Sequence, residues 1–457
     1  MSGADADDNI DQVLPACRAA ARRRLRERVG AIVRHVRAPL SAVLRDHALV
    51  HLPPAAAARL RAVHPSWARA VASPLFAVAH AAAPRRLSGL FLLTSSSGSS
   101  SFLHLDAADT LPSSPPLAFL PASAPPAVRV LSSTRGLACC FSPADDAYFV
   151  CNPATEAWEP VPSPPCRLSR PRPALVLLLG ADLYNFRGDY TLVCAFEAAP
   201  GPDGAYCFAV FSSGAGEWWV APAVAPAEGL VPASGVAAGG TAWWRTDIGT
   251  AVGYCPATGR VHLAVCPGDS ARWEIGAAGD TLHCAVRADG GDAVVVFRLG
   301  RYGGWEQAAT VSVAEILHGR GPWQPAPAYY HEPSEPDADA DGEADQQDRA
   351  RAIVAVENRA VLRILAGDDV RLLPFQGADV EVLVLDLHGR RVVAFDTVTR
   401  RRREAVLPDE PAGTDWAAAE YAAHTNTLAL LAPVALMDPP DDHDHDQQAE
   451  AVDRTLT

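Results

Sequence analysis

The chain has 457 residues and no lysine; all 39 of its basic residues are arginine. That absence excludes Schiff-base catalysis and a P-loop lysine on nucleotide phosphates. The Ala, Pro, Gly and Arg abundance that accompanies it reads as GC-rich coding bias. No Gly-x-Ser-x-Gly elbow and no His-Glu-x-x-His pair occurs, so nucleophilic hydrolase and zinc-protease chemistry lack their usual sequence marks. The ten cysteines include no C-x2-C pair of a zinc site and sit within apolar strand patterns, as reduced buried thiols do. Apolar runs such as Ala174 to Leu179 are far too short to span a bilayer, and the acidic start lacks the basic and apolar regions of a signal peptide. The expectation is a soluble protein of the cytoplasm or nucleus, with no cofactor and no metal.

What is present is a recurring pattern: an apolar strand, a tight polar turn with Thr or Gly, then a second strand opening on Trp or an aliphatic residue. The clearest copy runs from Tyr148 to Pro162, and within it Asn152, Pro153, Thr155 and Trp158 mark a structural turn motif. Weaker copies run from Phe211 to Pro222, Gly253 to Val265, Phe297 to Ala308 and Ala394 to Pro408. Hairpins repeated every roughly 40 to 50 residues are the signature of propeller blades, each of which buries its faces only against its neighbours. The expected fold is mainly β, a propeller of about seven blades with six or eight allowed, spanning 87–432 behind a small helical N-terminal domain. Asn426 to Leu431 is expected to close the ring by joining the blade begun near Gly89.

The net charge of −14 argues against nucleic acid as a partner, and no membrane association is expected. Charge is unevenly placed. Residues 1–37 combine an acidic start with a basic amphipathic helix, in which Cys17, Ala21, Leu25, Val29, Ile32 and Val36 are spaced for one face. Residues 326–349 form an acidic insertion and 433–457 an acidic tail, both expected to be disordered. Asp337 to Asp348 matches the spacing of a calcium loop, but Asp stands where that loop needs a bidentate Glu, and Pro333 and Pro336 oppose an entering helix. It reads as a solvated acidic loop.

Between these, 38–83 reads as helical. Pro39 suits a first turn, Pro53-Pro54 ends that helix, and a second is expected from about Ala55 to Ala72 with Leu60, Val63, Trp67 and Val71 on one stripe. Leu49-Val50-His51-Leu52-Pro53-Pro54, Arg61-Ala62-Val63 and Ser66-Trp67 resemble the F-box of plant F-box proteins. Cys151-Asn152-Pro153-Ala154-Thr155 through Trp158 to Val161-Pro162 is similar to their F-box-associated, kelch-like propeller repeat. The resemblance implies a non-enzymatic substrate receptor of a cullin-RING ubiquitin ligase. Its helical domain would dock on the Skp adaptor, and through it on cullin, by way of Leu44, Leu49, Leu52, Pro53, Leu60, Val63 and Trp67. The propeller would hold a target protein that the sequence does not identify. Two other readings stand beside it, an interaction scaffold without a ligase role and a propeller enzyme with acids converging at the channel. Adjacent Trp residues in one strand point to opposite faces, so one ring of each pair, Trp219 and Trp244, is a candidate for target binding.

Overall fold

The computed structural model describes residues 47–434 apart from 95–99, 108, 114–115, 122–127, 166–172, 181–184, 198–204, 227–228, 269–271, 289–290, 320–369 and 410–413. The basic helix, Leu44, the acidic insertion and residues 435–457 of the tail lie outside the described residues. Two compact units emerge, one of residues 1–52 with Ala56–Ser73, the other of Pro53–Ala55 with everything from Pro74 onward.

The single helix expected over about Ala55 to Ala72 is two. Helix α1 covers Pro54–Leu60 and α2 covers Pro65–Val71. The break has a local cause: a residue before proline is pushed out of the helical region, and His64 is extended, at φ −158° and ψ 143°. His64 then caps α2, its Nδ1 accepting the Ser66 amide at 3.1 Å.

The second unit opens with α3 (Pro74–Ala82) and is otherwise six sheets. Blade I holds β1 (Gly89–Leu93) and β2 (Ser101–His104); blade II, β3 (Arg129–Thr134), β4 (Leu137–Ser142), β5 (Ala147–Asn152) and β6 (Ala157–Val161). Blade III holds β7 (Ala174–Leu179), β8 (Tyr190–Glu197), β9 (Ala205–Ser212) and β10 (Glu217–Pro226). Blade IV holds β11 (Val236–Ala238), β12 (Thr241–Arg245), β13 (Thr250–Cys255) and β14 (Arg260–Val265). Blade V holds β15 (Trp273–Ala278), β16 (Thr281–Arg287), β17 (Ala293–Leu299) and β18 (Trp305–Ser312), followed by α4 (Val313–His318). Blade VI holds β19 (Val370–Leu373), β21 (Glu381–Asp386), β22 (Arg391–Asp396) and β23 (Arg402–Val406). Between β19 and β21, β20 (Phe375–Gly377) leaves for blade V, pairing in parallel with β15. Pro374 sits at the switch, where a residue without an N–H ends one ladder.

Six blades is the lower of the counts the repeat allows. The units are longer than about 45 residues because connections such as 105–128 lengthen them. Closure comes from β24 (Glu420–His424), antiparallel to β1, with Gly89 opposite His424 and Leu93 opposite Glu420. The ring therefore closes as expected, but by the segment before Asn426–Leu431.

The strand texture follows from position. Second and third strands are covered on both faces by neighbouring blades, so β4 (LACCFS) is buried at every residue and reads as one apolar run. Fourth strands lie at the rim, and β14 is exposed or half-exposed everywhere but Ala264. Separate apolar layers fill the gaps between blades: Val176, Phe208, Trp244 and Tyr254 join blades III and IV, and Trp243, Ile275 and Cys284 join IV and V.

Candidate functional site

Six strands line the axis in sequence, β24 against β3, then β7, β11, β15 and β20, which returns to β24. At the ends of these strands the ring opens into a cup of about 1170 Å³. Its lining includes Thr134 at the end of β3 and Arg135 just after it, Gly239 and Gly240 after β11, Asp280 after β15, and Gln376 in β20. Asp189, Trp219 and Pro256 line its outer part, and the end of α3 with Arg85 lines one side.

The turns that build this face share one geometry. In the β5–β6, β9–β10, β13–β14 and β22–β23 turns the fifth residue, Glu156, Gly216, Gly259 or Arg400, has φ of 58°, 75°, 66° or 56°. The first residue fastens the turn. Asn152 Oδ1 accepts the Ala154 amide at 3.0 Å, and Asp396 Oδ1 accepts those of Val398 and Thr399 at 2.9 Å each. Cys255 occupies the same place. Burial alone would raise its thiol pKa, but hydrogen bonds from Thr258, Thr241 and Ala257 bring it below the ordinary value.

Asn152 reaches further, its Nδ2 donating to Thr427 O at 3.2 Å and Ala429 O at 2.9 Å. Leu428 N donates to His80 Nδ1 of α3 at 3.1 Å. The segment expected to be the last strand is thus an irregular strap across this face. Its partners are side chains: a buried irregular backbone must find them there.

Gln376 Nε2 donates to Thr134 Oγ1 at 2.9 Å, and Arg135 Nη2 meets Asp280 Oδ1 at 2.6 Å. Beneath them a cavity of about 20 Å³ lies among Ser132, Ser133, Gly235, Phe375 and Tyr421. Arg85 donates from Nε to His80 O at 3.2 Å, at the C-terminal end of α3. Burial lowers its pKa to about 10, opposed by the charge of Asp109. Burial in turn raises the Asp109 pKa against its hydrogen bonds from Ser88 and Asn426.

The two tryptophan candidates separate. Trp219 is 44% exposed and lines the cup. Trp244 is fully buried between blades III and IV, and Trp243 is buried between IV and V. Alternation does send their rings to opposite faces, but in a propeller both faces of β12 are interior, so Trp244 is a packing residue. Trp158 lies at the rim, edge-on to Phe149 at 5.9 Å. Pro153 is buried, and the Thr155 amide donates to Asn152 O at 3.2 Å.

In the first unit Leu49 is buried, Leu52, Leu60 and Trp67 are half-buried, and Val63 is 62% exposed; Pro53, which belongs to the second unit, is half-buried. Residues that sequence reasoning missed are Arg135, Asp280 and Gln376. No local pattern marks them, because they meet only when distant blades face each other across the axis. Among the described residues no helix is long and apolar enough to cross a membrane, and no three His, Cys, Asp or Glu side chains are grouped to hold a metal ion.

No family model matches the chain, and no curated protein matches it. Among solved structures it is similar to a chain of a nidogen/laminin complex at 10% identity and TM-score 0.34, covering 70% of this chain and 93% of that one. It is similar to AztD from Citrobacter koseri at 9% identity and TM-score 0.34, covering 75% and 88%. A lectin from Aleuria aurantia gives 11% identity and TM-score 0.34, covering 70% and 93%. At scores this low neither the fold nor the function of this chain rests on them.

Proposed function

We propose that this chain is a non-enzymatic binding subunit that holds a partner protein at the cup of its propeller. The observation that carries this reading is the open cup itself, with Trp219 exposed in its lining: an aromatic ring kept out of the core in a mostly apolar concavity with a few polar groups is the usual make-up of a binding hot spot. We propose further that the helical residues before Ser73 dock on the Skp adaptor, making the partner a ubiquitination target. Support for this comes from the F-box-like spacing of Leu52, Pro53, Leu60, Val63 and Trp67, all of which keep some solvent exposure.

The test is pull-down of purified Skp adaptor by the full chain. Binding is expected, and Leu52→Ala combined with Pro53→Ala should reduce it at least about tenfold while the β-sheet circular dichroism is unchanged. Absence of adaptor binding by the unmodified chain would leave a propeller scaffold without a ligase role.

A further inference from the structure

The ion pair at the floor of the cup joins blades on opposite sides of the ring. Arg135 follows the inner strand of blade II and Asp280 that of blade V, three blades away in either direction. The two partners differ in how they are held. Arg135 has a side chain only 22% exposed, in a turn whose backbone is fixed: its φ is 46°, its carbonyl accepts Thr427 Oγ1 at 2.7 Å, and Gly136 beside it leaves no room against Thr427. Asp280 has a side chain 64% exposed and follows Gly279, around which there is open space. An ion pair with one partner this exposed contributes at most about 1 kcal/mol, so it is not what holds the ring together. Backbone pairing of β24 to β1 and the bonds of Asn152 serve that purpose. Arg85 adds a second, partly buried cation to the same wall. The cup is thus lined by partly buried cations, Arg135 and Arg85, and by more exposed carboxylate side chains, Asp189 and Asp280, within a chain whose net charge is −14.

We propose that the floor of the cup is an anion site, with Asp280 standing in for a carboxylate or phosphate carried by a partner peptide. The inference rests on the cup being where a partner binds. A guanidinium presents two N–H edges to an oxyanion, and a ligand anion that uses both and excludes water is bound more strongly than an exposed Asp that uses one. The partner's anion displaces Asp280 into solvent, at little loss because the displaced carboxylate is readily hydrated. Specificity follows from this competition: a neutral side chain cannot separate the pair, and a basic one meets Arg135.

The experiment uses the full chain and four pools of fluorescent random peptides with the central residue fixed as Glu, phosphoserine, Gln or Arg. We expect the Glu or the phosphoserine pool to be retained about tenfold over the Gln pool, the better of the two identifying the anion. Asp280→Asn, which removes the competing carboxylate, should raise that retention severalfold, and Arg135→Gln should abolish the preference. A gain in binding from Asp280→Asn is the opposite of what a purely structural ion pair would give. Equal or better retention of the Gln or Arg pool, lost on Trp219→Ala, would leave the cup a binding site and overturn the anion site. Unchanged or weaker retention in Asp280→Asn would overturn the anion site as well. No retention of any pool would overturn both.

Discussion

Gly253 and Gly259 belong to one hairpin and are glycine for different reasons. At Gly253 the backbone is ordinary, but a Cβ would lie 2.6 Å from the ring of Trp243, itself buried. At Gly259 there is room on every side and φ is +66°. Gly253→Ala should therefore destabilise by roughly 3 kcal/mol through overpacking, and Gly259→Ala by about 1 kcal/mol through backbone strain. Urea denaturation checks both, and Gly259→Asn separates the causes, because Asn tolerates the left-handed region and should recover most of the loss. Residues of this kind were partly legible in the sequence. The turn motif around Asn152 could be read from spacing alone, since it is local chemistry repeated along the chain. Trp244 could not be placed, because alternation tells which face a ring takes and not whether that face meets water.

At the scale of elements, the closing strand is the least legible. Asn426 to Leu431 reads as a short apolar strand, yet EYAAH at 420–424 is the one that pairs, for strands next to a narrow axis favour small residues and lose the strong apolar signal. His424 ends this strand, fully buried against Phe91 at 5.2 Å with Nδ1 2.7 Å from Ser133 Oγ. Burial lowers its pKa to about 3 from the ordinary 6.5. The folded ring thus excludes a proton that the unfolded chain accepts. The stability from neutral His424 is complete above pH 6.5 and is lost as pH falls from there toward 3. The loss is on the order of 1 kcal/mol for each pH unit in that window. Urea midpoints measured from pH 7 to pH 4 should fall, and His424→Gln, whatever its effect at pH 7, should flatten the slope.

For the molecule as a whole, the absence of lysine acquires meaning if the ligase reading holds. The usual acceptor of activated ubiquitin is a deprotonated lysine amine, and the 39 arginines cannot replace it, since a guanidinium stays protonated at physiological pH. In a reconstituted ligase with the α-amine blocked, this subunit should carry no base-stable ubiquitin conjugates while lysine-bearing subunits beside it do. The repeat made the propeller legible at this scale, and loop length, which no strand pattern encodes, hid the number of blades. The clasp of β24 on β1 also sets a schedule. Strand β1 ends at Leu93 and its inner partner ends at His424, 331 residues later (424 − 93). At roughly 5 to 20 residues per second, translation leaves the inner edge of blade I without its partner for about 15 to 65 seconds. Through that interval its open ladder is available to any other nascent strand, so whether the chain becomes a ring is decided only once residues 420–424 have been made.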